Sequence, residues 1–336
     1  MGIFSRVCIY NSIFKFSKFY INPQPQDKCR VYASLYMKNK EKNTMKKNAN
    51  SEKEEVKETM DDLIKQLEKL RGSKVISLFY PSPSTITRDT VSDVYDLLKS
   101  EIKEPVDKLD IIMDSSGGDI DASFHIVKIL RRFIKPEGEL TFIIPRYAKS
   151  AATLIACGGD KICMGPTSEI GPLDPQITRI SIENGIPVAK ESFSPLAISS
   201  TIDFLKELIK TGIEEGAEEN MVLAGMLVDK LLPLSLGQYL KSLDIGKAYT
   251  KKLLSTKMFK GSDEEKIEEI SEKLVRGYSH HGYCIDLDEV RDIGLVVEEP
   301  DAKEWEVIWK IYKCYKKMAE EIEKLEGETN EKEDAV

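Results

Sequence analysis

The sequence predicts an α/β protein built on a mostly parallel sheet, and three observations predict it. Short, β-branched, apolar runs recur at 74–81 (KVISLFYP), 109–116 (LDIIMDSS), 140–146 (LTFIIPR) and 161–164 (KICM). They have the character of strands buried on both faces. Helical patterns fill the intervals between them, which is the signature of βαβ units with right-handed crossovers. After about residue 195 the strand signal fades and helices take over.

Taken in order, residues 1–50 mix Phe, Tyr and Ile with Asn and Lys without helical periodicity. They carry ten Lys/Arg against Asp27 and Glu41. This segment is expected to be a basic tail, disordered or targeting, rather than a packed domain. Residues 51–72 place Val56, Met60, Ile64, Leu67 and Leu70 at helical spacing, with Gly72 as a stop. Segment 87–102 (TRDTVSDVYDLLKSEI) predicts the next helix. Segment 119–134 predicts another, with Ile120, Phe124, Val127, Leu130 and Ile134 on one face. SAATLIACGG (150–159) predicts a third, made almost wholly of small or apolar residues. The domain expected from this pattern spans 73–297. Its later part carries helices at 196–212, 217–231, 235–255, 263–277 and 286–293, then a late strand at 294–297. Residues 298–336 form a C-terminal helix (303–326) and a polar tail. Trp305 and Trp309, one helical turn apart with Ile308, Ile311 and Tyr312, form an apolar face suited to a core or a subunit contact.

Composition narrows the function classes. The chain has 336 residues, net charge −8 and 32% charged residues. With +8 in the first fifty, the remaining 286 residues carry −16, which disfavours a nucleic-acid binder of the electrostatic kind. No apolar run is long enough for a transmembrane helix. The cysteines (Cys8, Cys29, Cys157, Cys163, Cys284, Cys314) show no CxxC spacing. That argues against a disulfide framework or a zinc site and for a reducing, cytoplasmic compartment. The basic N-terminus leaves membrane association or organelle targeting as the alternative. The histidines are His125, His280 and His281, so few candidates exist for any imidazole chemistry.

Sites in open parallel sheets gather at the C-terminal ends of the strands, and three turns lie there. Asp114-Ser115-Ser116-Gly117-Gly118-Asp119 joins a strand to an amphipathic helix. Adjacent glycines let main-chain N–H groups approach an anion, and the helix start adds its positive dipole end. The bland alternative is a tight turn with a capping residue. The spacing is neither GxGxxG nor a Walker loop. In the second turn, Pro145-Arg146-Tyr147-Ala148-Lys149-Ser150-Ala151, a strand gives way to a helix beginning at Ser150. A serine there sits beside the N–H of the next residue, so nucleophile and oxyanion donor come together. The bland alternative is that Ser150 caps the helix. The third turn, Met164 to Gln176, holds Asp174 and Gln176 in a loop stiffened by Pro166, Pro172 and Pro175.

Taken together, IIMDSSGGDIDAS, IPRYAKSAATLIACGGDKICMGP and SEIGPLDPQI resemble the Clp-protease/crotonase fold. Within it they resemble most the serine dehydrogenase proteinase family, related to the signal peptide peptidase A peptidases. A weaker echo is YSHHGYCIDLDEVRDIGL (278–295), and the resemblance covers roughly 74–297. It implies a serine peptidase without metal or cofactor, acting on peptides or unfolded proteins and assembling as a homo-oligomer. Ser150 matches the nucleophile. Gly117 or Gly118, with the N–H of Ala151, matches the oxyanion hole.

The general base stays open at this stage. The Clp peptidases use a histidine after the nucleophile helix, where this chain has Leu173 and Asp174. The signal peptide type uses a lysine, which burial can bring into range. Lys190 lies 40 residues after Ser150 and Lys206 lies 56 after. His280 and His281 have a naturally suitable pKa. Asp174 is too acidic to serve alone and is expected to orient the base. Lys149 is expected to leave the turn in another direction, and His125 is expected to be structural. Two other readings remain: an inactive peptide-binding scaffold of the same fold, and thioester chemistry of the crotonase type.

Overall fold

The structure, a computed structural model, describes residues 7–9, 59–80, 84–173, 177–183, 186–193, 195–228, 233–261, 264–278 and 280–333. Its centre is a parallel sheet. The strands are β1 (Val7–Ile9), β2 (Lys74–Tyr80), β3 (Val106–Ser115), β4 (Ile134–Ile144), β5 (Tyr147–Ala148), β6 (Lys161–Met164), β7 (Glu169–Ile170) and β10 (Val297–Glu298). The order is β1-β2-β3-β4-β6-β10, with β5 and β7 off this path. Between β7 and β10 in the chain come β8 (Ile177–Glu183) and β9 (Ile186–Phe193), an antiparallel pair.

Helices α1 (Met60–Arg71), α2 (Arg88–Glu101), α3 (Ile120–Leu130) and α4 (Ala151–Ala156) alternate with the early strands. Then follow α5 (Pro195–Glu214), α6 (Glu218–Val228), α7 (Pro233–Leu254), α8 (Glu264–Arg276), α9 (Leu287–Ile293) and α10 (Ala302–Glu333). Their ends carry the expected stop and start chemistry. Thr59 and Asp62 form a reciprocal capping box at α1, and Gly72 closes it in the left-handed region at φ 62°. Asp119 accepts the Ala122 N–H to start α3, and Asp286 accepts the Glu289 N–H to start α9.

Both faces of the sheet are covered, which is why its strands read as continuous apolar runs. Ile76, Leu78, Leu109, Ile111, Met113, Leu140, Phe142 and Ile144 face a core shared with α2, α3, α4, α7, α8 and α9. The alternate residues Val75, Phe79, Ile112, Ile143 and Cys163 face α1 and α10. The second face also carries charge. Arg71 Nη2 reaches Glu298 at 2.7 Å, its Nε meets the buried Asp110 at 2.5 Å, and Nη1 meets Glu304 at 3.3 Å. This buried ion cluster ties α1, β3, β10 and α10 together. On α10, Trp305 stacks on Trp309, with ring centroids 5.7 Å apart. A Cβ added to Gly165 would lie 2.3 Å from the Trp305 ring, so the glycine makes room for it.

Several elements differ from the sequence expectation. Within 1–50, Val7–Ile9 pairs in parallel with Ser77–Phe79. An edge strand offers unpaired main-chain groups that even a short segment can satisfy. The rest of 1–50 and residues 51–58 lie outside the described residues. The helix after the glycine turn stops at Leu130, a 3₁₀ turn covers Arg131–Phe133, and β4 starts at Ile134 rather than near 140. A register shift beside β3 between Val106 and Lys108 absorbs the extra residues around Pro136 and Gly138. The β8–β9 hairpin has no counterpart in the sequence expectation, although Asn184-Gly185 between alternating β-branched residues is a hairpin signal.

Candidate active site

The end of β3 and the turn into α4 meet at one place. β4 pairs with β3 as far as Ile112↔Ile143, and after Pro145-Arg146 the chain returns beside β3 as β5, pairing Ser115 with Ala148. The Lys149 N–H then donates to Ser115 O at 3.0 Å. Ser150 follows with φ 52° and ψ −121°, and no other non-glycine residue described has a positive φ. Such backbone is sparsely populated and persists only where its surroundings hold it. Here they do. Thr153 Oγ1 lies 2.8 Å from both Ala148 O and Gly171 O, and the Gly171 N–H donates to Ala148 O at 2.9 Å. The Ser150 side chain makes no capping hydrogen bond to α4, which removes the helix-cap alternative. Its residue is 7% exposed.

The glycine turn lies directly against this one. A Cβ added to Gly117 would fall 2.7 Å from Lys149 O and 3.0 Å from both Ala151 N and Ser150 Cβ. One at Gly118 would fall 2.2 Å from Ile86 O. Both glycines have positive φ, 104° and 147°. Ile86 clasps the turn through its main chain: its N–H donates to Gly117 O and its O accepts the Asp119 N–H, each at 2.8 Å. The Gly117 N–H is already taken by Ser115 Oγ at 3.0 Å. Among the described residues, neither the Gly118 nor the Ala151 N–H donates to another group. Of the two glycines left open by the sequence, Gly118 is the one whose N–H keeps no acceptor among the described residues.

The remaining candidates are placed as follows. Lys206 is exposed on α5, its ammonium 2.9 Å from Asp203, which is the opposite of the desolvated setting a neutral lysine needs. Asp174 lies outside the described residues. Lys190 is on β9, whose ladder with β8 runs Arg179↔Glu191 and then Ile180↔Ala189. Lys190 is thus the unpaired residue of a β-bulge, a device common beside active sites. His280 is exposed, and its Nδ1 accepts the Gly282 N–H at 3.1 Å, a local turn contact. His281 is half-buried in the same turn, and His125 is exposed on α3. The Lys149 side chain points away from Ser150, out of the β5–α4 turn. It lies along Gly171, and its Nζ is 3.0 Å from Tyr283 O, 3.3 Å from Ile170 O and 3.2 Å from Glu169. With the Ile170–Ile285 bridge, this brings the segment bearing the histidine pair beside the turn.

Charges around the turns are unevenly settled. Burial lifts the Asp114 carboxyl to about 7, against the opposing pull of the Tyr147 N–H and Arg146. Its Oδ1 has no hydrogen-bond partner among the described residues. Burial pushes Glu169 up too, but the Cys284 thiol, Lys149 and Arg146 outweigh it and the net shift is downward. Burial drives the thiols of Cys157 and Cys163 up to about 12, so neither is a ready nucleophile. Ile86 is a contributor that the sequence reading missed, and Ser115, which it placed in the glycine turn, had no role of its own assigned there. Only the hydroxyl two residues before Gly117 offered any signal.

A family model described as ClpP-like SDH-type serine proteinase matches residues 45–222. The chain belongs to this family. Two uncharacterized proteins of Methanocaldococcus jannaschii are similar to it. MJ0137 is 25% identical over 259 residues, 75% of this chain and 77% of its own. MJ1495 is 25% identical over 242 residues, 70% of each chain. Among solved structures, a mutant of the 1510-N membrane-bound stomatin-specific protease aligns with a TM-score of 0.38 at 17% identity, covering 68% of this chain and 79% of that one. The ClpP catalytic domain of Plasmodium falciparum aligns with a TM-score of 0.36 at 14% identity, covering 74% and 97%. The family match agrees with the resemblance seen in the turn sequences.

Proposed function

We propose that this member of the family is a serine endopeptidase that hydrolyses peptide bonds in peptides or unfolded proteins. Ser150 is the nucleophile, the N–H groups of Gly118 and Ala151 are the oxyanion donors, and Lys190 is the general base. The observation that carries this reading is Ser150 itself: a strained, non-capping serine between a strand and a helix, packed against a glycine turn with an uncommitted N–H.

The chemistry follows from those roles. Neutral Lys190 takes the Ser150 hydroxyl proton as Oγ attacks the scissile carbonyl carbon. The carbonyl electron pair moves onto oxygen, where the two N–H groups meet it, each worth about 3–4 kcal/mol in the transition state. The ammonium of Lys190 returns its proton to the amine nitrogen as the C–N bond breaks. Water then repeats the sequence on the acyl-enzyme, releasing the acid and restoring the serine. The bulge at Lys190 and its spacing from Ser150 support this base over Lys206, which is solvated and paired. Asp174 is assigned the orientation of the base. His280 and His281 are assigned to the turn that packs on Lys149.

The working form is proposed to be a homo-oligomer joined through α5 and α6, whose apolar side chains Ile213, Val222 and Met226 are 70%, 63% and 65% exposed. Fluorescein-labelled casein tests the activity. The wild type is expected to release soluble fragments, Ser150→Ala none, and Lys190→Ala at least about 100-fold fewer. A wild type that cleaves nothing overturns the proposal in favour of an inactive scaffold. Specific binding of coenzyme A esters without cleavage favours the thioester alternative.

A further inference from the structure

We propose that Ser115 is a positioning residue whose hydroxyl selects which glycine N–H is offered to the oxyanion. The inference rests on the serine peptidase reading given above.

The turn Ser115-Ser116-Gly117-Gly118 contains two successive peptide planes that glycine leaves free to rotate. Each plane is pinned by one contact. The Ser116–Gly117 plane is pinned by Ser115 Oγ, which accepts the Gly117 N–H at 3.0 Å. The Gly117–Gly118 plane is pinned by Ile86, whose N–H donates to Gly117 O at 2.8 Å. In a trans peptide the C=O and the following N–H point in opposite directions. With Gly117 O held toward Ile86, the Gly118 N–H faces away from Ile86. Ser115 meanwhile removes the competing donor one residue earlier.

Ser115 also belongs to the other half of the site. Its main-chain O accepts the Lys149 N–H at 3.0 Å, and it pairs with Ala148. One fully buried residue therefore holds the glycine turn by its hydroxyl and the nucleophile turn by its carbonyl. Loss of the hydroxyl leaves the main-chain tie to Lys149 in place and frees only the glycine turn. The defect should therefore fall on transition-state stabilisation and spare binding.

The test is the saturation kinetics of labelling by an alkyl fluorophosphonate, in which the phosphoryl oxygen occupies the place of the oxyanion. Ser115→Ala is expected to lower the maximal labelling rate about 100-fold and to leave the half-saturating probe concentration within about twofold. Ser115→Thr, which keeps the hydroxyl, is expected to restore the rate to within about threefold of wild type, and Ser115→Cys, a weaker acceptor, to fall between. Should Ser115→Ala not fold, as circular dichroism would show, the Thr and Cys variants carry the comparison. Equal rates for those two overturn the proposal. So does an Ala variant that labels at the wild-type rate, or one slowed only through probe affinity. A wild type that takes up no probe overturns the peptidase reading and this inference with it. A normally labelled wild type with an equally fast Ser115→Ala overturns this inference alone.

Discussion

The sheet-and-turn core and the α5–α6 arm satisfy their chemistry in different ways. In the core, apolar strands are sealed between two helical layers, and the turns at their ends are tied by main-chain bonds among Ile86, Gly117, Ser115, Lys149, Ala148 and Gly171. In the arm, Phe204, Ile213, Val222 and Met226 remain more than half exposed. Of the side chains described on α6, only Ala224 is buried. A helix apolar on all sides is normally covered on all sides. The contrast separates two settings: the core holds Ser150 in a costly backbone conformation, while the arm presents apolar surface.

The sharpest way to break this contrast is in the core. Gly118→Ala would place a methyl 2.2 Å from Ile86 O, on backbone that side chains rarely adopt. Casein turnover is expected to fall by at least about 100-fold, the scale of losing an oxyanion donor. An active Gly118→Ala would mean that the Ile86 clasp does not define the turn. Arg71→Met tests the opposite end of the sheet. It leaves Asp110 buried without its cation, and urea unfolding is expected to show a loss of about 3–5 kcal/mol. A change below about 1 kcal/mol would show that the cluster is not structural.

In the arm, the expected signs reverse. Val222→Glu with Met226→Glu should leave the fold of each chain intact, read as an unchanged circular dichroism spectrum, because both side chains are exposed in the single chain. Sedimentation should move toward the 38.0 kDa monomer. A wild type that already sediments as a monomer removes the proposed oligomer.

A subtler probe is Asp114, near the end of β3 in the core. Its carboxyl is raised by burial to about 7 in the folded chain, against 3.8 ordinarily. The folded state therefore keeps a proton that the unfolded state releases. The stability linked to this group is fully present below pH about 4 and is lost as pH rises toward 7. Asp114→Asn should flatten that part of the stability–pH curve, measured by chemical denaturation. An unchanged slope would place the carboxyl in a more solvated setting. The smallest expected effect is at Lys206: Lys206→Ala should change turnover by less than about twofold, because its ammonium already pairs with Asp203 in solvent.

Much of the core was legible because its signals are local. The apolar runs of β2, β3, β4 and β6, the Gly72 stop and the Gly117-Gly118 and Ser150 turns each depend on neighbours within a few residues. Long-range contacts left no such mark. Ile86 clasps a turn 31 residues away, and β1 pairs with β2 across more than sixty. Neither contact involves a side-chain pattern, because main-chain bonds carry both. The bulge at Lys190 was hidden for a related reason, since ladder register between β8 and β9 is a property of two strands together. Telling the Gly117 N–H from the Gly118 N–H required the Ser115 Oγ–Gly117 bond, which composition cannot reveal.

The most direct test of the central claim is peptide mapping by mass spectrometry after treatment with an alkyl fluorophosphonate. A single adduct is predicted, on the peptide containing Ser150, absent from Ser150→Ala and formed far more slowly in Lys190→Ala. No adduct on the wild type, or an adduct confined to another residue, would contradict it.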